Sequence, residues 1–174
     1  MAEIIGRILD AVLMRAVASL TDLNNGAAED REAAPHRFDF VHDAPLRPVL
    51  EAAYAEGRRA LEQGHFSAAF ITACSLLEAV VTDALTRTDR RQLAICGAPA
   101  GSVTDWPFET RLAAAERAGL IRGGCARLPP RARRYRDLTG EDGDLRAGVS
   151  ISEREARLVG QVLHVIMRDL DPGR

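Results

Sequence analysis

A chain of 174 residues is long enough for one domain with a proper core and too short for two comfortable ones. A hydrophobic share of 47% against 28% charged residues is ordinary for a globular protein, and few aromatics with abundant Ala and Leu favour an all-α fold over a sandwich or barrel. The net charge of −2 excludes a whole-molecule field that would recruit nucleic acid or an anionic membrane, so any such binding must come from a local patch.

Every basic side chain is Arg, a bias that genome composition alone can produce, so Arg enrichment carries little functional weight by itself. Cys74, Cys96 and Cys125 are odd in number and far apart, which fits neither a disulfide scaffold nor a CxxC metal site. The apolar N-terminus is interrupted by Glu3, Arg7, Asp10 and Arg15, unlike a signal peptide. The apolar run Ala68 to Leu77 is too short to span a bilayer. A cytoplasmic protein that uses no membrane, metal or cofactor is expected.

Residues 3 to 20 place Ile4, Ile5, Ile8, Leu9, Val12, Leu13, Ala16 and Leu20 at helical spacing. The polar face is not rich in basic residues as membrane-surface helices are, which favours docking on this domain or on a second subunit. From Thr21 to Ala44 the pattern dissolves around Asn24-Asn25-Gly26 and Pro35, giving a partly mobile connection in which Phe38, Phe40 and Val41 tuck in as an extended segment. His36 and His42 lie there without ligand partners. Residues 1–44 are thus expected as an extra amphipathic helix and its connection, and residues 45–171 as the main bundle.

Leu46, Val49, Leu50, Ala53, Gly57, Ala60 and Leu61 recur at helical spacing behind Pro45 and Pro48, until Gln63-Gly64. A second arm, Ser67 to Thr86, is the most apolar segment and the expected central core helix. Glu78 borders its apolar face, where a carboxylate needs a partner. It is either an exposed flank charge or the acid of a structural ion pair with an arginine of the 131–136 segment. Cys74 on that face reads as a small buried hydrophobe.

Thr88 to Arg91 and Cys96 to Val103 read as a connection. Thr104 or Asp105 can cap a helix with Pro107 in its first turn and Trp106, Phe108, Leu112, Ala115 and Leu120 on its buried side. Pro129-Pro130 opens a short helix with Leu128, Ala132, Tyr135 and Leu138 on one face, broken by the turn residues 139–144. Ser152 and Glu155 form a capping box for a last helix with the stripe Ala156, Val159, Val162, Leu163, Ile166 and Leu170. The whole reads as five or six helices.

Phosphate-binding loops, HExxH and GxSxG motifs are absent. The acids Asp137, Glu141, Asp142 and Asp144 lack the order of a calcium loop. Between Glu116 and Asp137 lie seven arginines and no acid. Arg131, Arg133, Arg134 and Arg136 could hold phosphates of RNA, or an acidic partner protein, or form a solvated face neutralised by nearby carboxylates.

The segments Ala73-Cys-Ser-Leu-Leu-Glu78, Ala118-Gly-Leu-Ile121 and Arg134-Tyr-Arg-Asp-Leu138, with the capped last helix, together resemble bacterial HEPN-like proteins over residues 40 to 171. The resemblance implies an all-α bundle, often a homodimer, whose metal-independent ribonuclease motif is an Arg, then Asn or Asp, and a His a few residues on. Arg136 and Asp137 match the first two positions. Residues 140–143 are Gly, Glu, Asp and Gly, so the histidine is missing. Arg136 cannot exchange a proton near neutral pH, which leaves Glu141 or Asp142 as the substitute base of an atypical ribonuclease or toxin. The leading expectation is a catalytically degenerate, dimeric module that binds RNA or a partner protein; a structural subunit without RNA affinity is the further alternative.

Overall fold

The computed structural model describes residues 37–140 and 145–171. The expected helix over residues 3–20, most of the connection with His36, and the acidic turn 141–144 lie outside the described residues. The described chain is mostly helical and contains no strand, as an all-α protein requires.

Helix α1 (Leu46–Glu62) begins where Pro45, locked near helical φ, takes the N-cap position, and it buries Leu46, Leu50, Ala53, Tyr54 and Ala60. It stops at Gly64, whose φ of 78° suits a residue without Cβ, and the His65 N–H bonds back to the Ala60 carbonyl at 2.8 Å. Helix α2 (Phe66–Arg87) follows at once and is the centre of the molecule, in contact with α1, α4 and α8. At 22 residues it extends well beyond its most apolar run; by length and composition it could cross a membrane, yet 67% of the relevant window is buried inside the protein. That burial is what the core helix of a bundle shows.

The connection expected over Thr88 to Arg91 and Cys96 to Val103 contains structure of its own. Asp89 caps a short helix, α3 (Arg90–Ile95), by accepting from the Arg91 N–H at 2.7 Å, and Leu93 anchors it to the core. A 3₁₀ turn, Val103–Asp105, absorbs the residues expected to cap the next helix, so Pro107 is the N-cap of α4 (Phe108–Arg117) and no side chain caps it. A one-turn helix, α5 (Gly124–Arg127), precedes the arginine segment.

The arginine segment is two turns and not one helix: α6 (Pro130–Arg133) and α7 (Tyr135–Leu138), separated at Arg134 with φ −116° and ψ 29°. Helix α8 (Glu153–Leu170) opens on the Ser152–Glu155 capping box and buries Ala156, Val159, Val162, Leu163, Ile166 and Met167 against α2. Phe38 and Val41 do reach the core, but as a turn closed by the Val41 N–H on the Phe38 carbonyl at 2.9 Å, not as an extended segment. Glu51 of α1 holds that turn by accepting from the backbone N–H of Arg37 and Phe38 at 2.7 and 3.3 Å.

Candidate functional site

The central helix carries three polar side chains into the core, Ser75, Glu78 and Thr82. Burying an ionised carboxylate is costly unless several donors replace its water. Glu78, only 1% exposed, meets three. Arg111 of α4 donates from Nη1 to Oε1 at 2.8 Å, Arg136 of α7 donates from Nε to Oε1 and Oε2 at 3.1 and 2.9 Å, and the Tyr135 hydroxyl donates to Oε2.

Arg111 is held on every side. Its Nε donates to the Trp106 carbonyl at 3.0 Å, Nη2 to the Thr104 carbonyl at 2.7 Å, and Nη1 also to Thr82 Oγ1 at 2.9 Å, while the Thr82 hydroxyl donates to the Glu78 carbonyl at 2.6 Å. The cluster thereby ties α2, the 3₁₀ turn, α4 and α7 into one unit. Phe108 closes it with an edge-on contact to the Tyr135 ring at 5.8 Å.

The electrostatics set each group's state. Burial pushes the Tyr135 hydroxyl well above its ordinary range, with the Glu78 charge adding to the shift, so the phenol is a fixed donor and not a base. Burial also raises the Cys74 thiol well above its usual value, again reinforced by Glu78, which keeps it inert as a nucleophile. Burial lowers Arg111, against the pull of Glu78. Partial burial acts the same way on Arg136, but its hydrogen bond to Glu78 and the neighbouring Tyr135 outweigh it and the shift is upward. Two guanidiniums on one carboxylate leave one positive charge in excess. Arg136 carries that charge to the surface, its side chain 45% exposed.

The other arginines of the segment also face carboxylates. Arg131 donates to Glu155 at 3.1 Å and to the Ser150 carbonyl at 3.2 Å; Arg133 donates to Glu109 at 2.7 Å, and Arg134 lies 3.7 Å from the same carboxylate. Asp137 is exposed, and its N–H bonds the Arg134 carbonyl at 2.9 Å. Sequence reasoning singled out Glu78 and Arg136 but missed Arg111, Thr82 and the hydroxyl of Tyr135. Arg111 had a readable signal: it stands three residues after Phe108 and four before Ala115, a charge on an apolar stripe.

His164 stands apart from this cluster. On α8 it shares a 2.9 Å hydrogen bond with the hydroxyl of Tyr54 on α1, and its ring packs edge-on to that tyrosine. Burial lowers its pKa, and Arg37 and Arg58 lower it further. No group of His, Cys, Asp and Glu side chains suited to a metal ion occurs among the described residues. Compared with protein-family models, with curated proteins and with solved structures, the chain matches none.

Proposed function

We propose that this chain is a catalytically degenerate HEPN-like module: a cytoplasmic homodimer that binds a partner protein through the exposed side of the arginine segment and does not cut RNA. The carrying observation is the engagement of Arg136, whose Nε serves both oxygens of the buried Glu78. An arginine spent in this way holds α7 to the core, and the groups beside it are a phenol held protonated and a second arginine, neither of which exchanges protons near neutral pH. The ribonuclease reading would need a base from residues 141–144.

A protein partner is favoured over RNA because Arg131, Arg133, Arg134 and Arg136 already face Glu155, Glu109 and Glu78. With Arg111 also on Glu78, five guanidiniums face three carboxylates, an excess of two charges, which is small for a polyanion whose binding scales with the phosphates neutralised. Arg134, 71% exposed, is the side chain best placed to reach a partner.

The test is incubation of the purified full chain with RNA beside an Arg136→Ala control. No Arg136-dependent cleavage is expected, and cleavage lost in the control would overturn the degenerate reading. RNA that co-purifies in low salt and is released in high salt would replace the protein partner with RNA.

A further inference from the structure

A groove runs between α1, α2 and α8. Its cavity volume is about 230 Å³, with Leu61, Ala73, Leu76 and Leu163 among the apolar residues that line it. Two glycines shape it. Gly57 lets α1 approach α2 so closely that a Cβ would stand 3.1 Å from the Thr72 methyl, whereas a Cβ on Gly160 of α8 would meet nothing within 4 Å. The groove is therefore open where Gly160 has no side chain. Its rim arginines are already paired one turn away, Arg58 with Glu62 and Arg157 with Glu153, so an apolar occupant strands no cation.

We infer that the groove is the docking site of this chain's own N-terminal amphipathic segment, residues 4–20. The inference does not rest on the proposed function. The described chain begins at the end of the groove: the Arg37 guanidinium stacks 4.9 Å from the ring of Tyr54, a lining residue, and Glu51 pins the Arg37 backbone to α1. The length fits. Lining residues run from Tyr54 to Leu61 on α1 and from Ala156 to His164 on α8, which at helical rise is about 11 Å. A helix presenting Ile5, Ile8, Leu9 and Val12 at i, i+3, i+4 and i+7 offers an apolar ridge of about the same length.

Reach agrees with this. Residues 21–36 connect the segment to Arg37, and even as a random coil a chain of that length spans about 20 Å, so the segment is present at the groove at an effective concentration on the order of millimolar. On a helical projection of the sequence Glu3, Arg7 and Asp10 fall opposite the apolar ridge, and Arg15 borders it. A second copy fits less well, since a slot two helical turns long offers far less than the roughly 800 Å² per partner of a standard stable interface.

Hydrogen exchange on the full chain tests the inference. Backbone amides of residues 4–20 are expected to exchange at least about tenfold more slowly than an unstructured chain. That protection should disappear both in Gly160→Trp, which fills the groove, and in the double variant Ile8→Asp/Leu9→Asp, which leaves the described bundle untouched. Three results each overturn the proposal: unprotected amides in the wild type, protection that survives both variants, or protection that grows with protein concentration and so marks a second copy as the source.

Discussion

Glu78 shows how one residue can commit four elements to a geometry. Replacing it by Ala would leave Arg111, 5% exposed, as a buried cation without its acid, and breaking a buried pair in that way costs about 3–5 kcal/mol. Arg136→Ala should cost less, about 1–2 kcal/mol, because Arg111 and Tyr135 still serve the carboxylate and the lost guanidinium was partly in water. Urea unfolding of the two variants checks the order; equal costs would assign Arg136 a share of the core that its exposure denies. The acid of this cluster was legible in the sequence because a charge interrupts an apolar helical face. Its principal partner was not, since Arg111 lies 33 residues away and only the packing of α4 on α2 brings the two together. His164 carries the second residue-level prediction. Its folded-state pKa lies below the ordinary value of about 6.5, through burial first and then Arg37 and Arg58, so the folded protein binds fewer protons than the unfolded chain. Its contribution to stability is complete above that value and is lost as pH falls through the folded-state pKa. Titration of the His164 ring by NMR should give a midpoint below 6.5, and His164→Gln should flatten the stability profile below about pH 6.5; a midpoint at or above 6.5 would contradict the sign.

Elements were read most securely where a terminus carries its own chemistry. The Ser152 hydroxyl accepts from the Glu155 N–H at 3.3 Å, and the Glu155 carboxylate accepts in return from the Ser152 N–H at 2.9 Å, so the start of α8 is written in two residues. The bonds that the carboxylate accepts from the Ser152 N–H and, at 2.7 Å, from the Ser152 hydroxyl are also the main cause that holds the Glu155 carboxyl below its usual pKa, with Arg131 helping. Ser152→Ala should therefore destabilise the protein by about 1 kcal/mol and let the Glu155 pKa rise, measurable by denaturant unfolding and by carboxyl NMR. A cost with no change at Glu155 would point to packing and not to the cap. Elements governed by distant contacts were harder to read. Residues 130–138 have helical spacing, yet the chain breaks at Arg134. On either side of the break Arg133 reaches Glu109 of α4 while Tyr135 and Arg136 reach Glu78 of α2. Two one-turn helices gain little from their own hydrogen bonds, so tertiary partners decide where they bend. The connection read over Thr88 to Arg91 and Cys96 to Val103 hid α3 for the same reason, its six residues being held by the Asp89 cap, by Leu93 in the core and by the Arg90 bond to the Gly101 carbonyl at 3.2 Å.

At the scale of the whole molecule the apolar pattern led to an all-α fold because helical periodicity reports which face is buried, but it could not report which helices meet. The central place of α2 follows from its being apolar on nearly all sides, and the arrangement around it comes from the Glu78 cluster and the α1 and α8 contacts. The same surface bears on oligomeric state. Only Ile95 and Leu158 are exposed large hydrophobics among the described residues, at 86% and 38%, and they do not amount to the apolar face of an obligate dimer. Within the described residues the proposed homodimer therefore finds only a polar interface, and it should dissociate on dilution. Light scattering at high micromolar concentration is expected to give twice the chain mass of 18.9 kDa, falling towards the monomer as the protein is diluted. If the N-terminal segment fills its own groove, Ile8→Asp/Leu9→Asp should leave that concentration dependence unchanged. A chain that is monomeric throughout would end the dimer proposal, and a dimer abolished by the double variant would move the segment from its own chain to the interface.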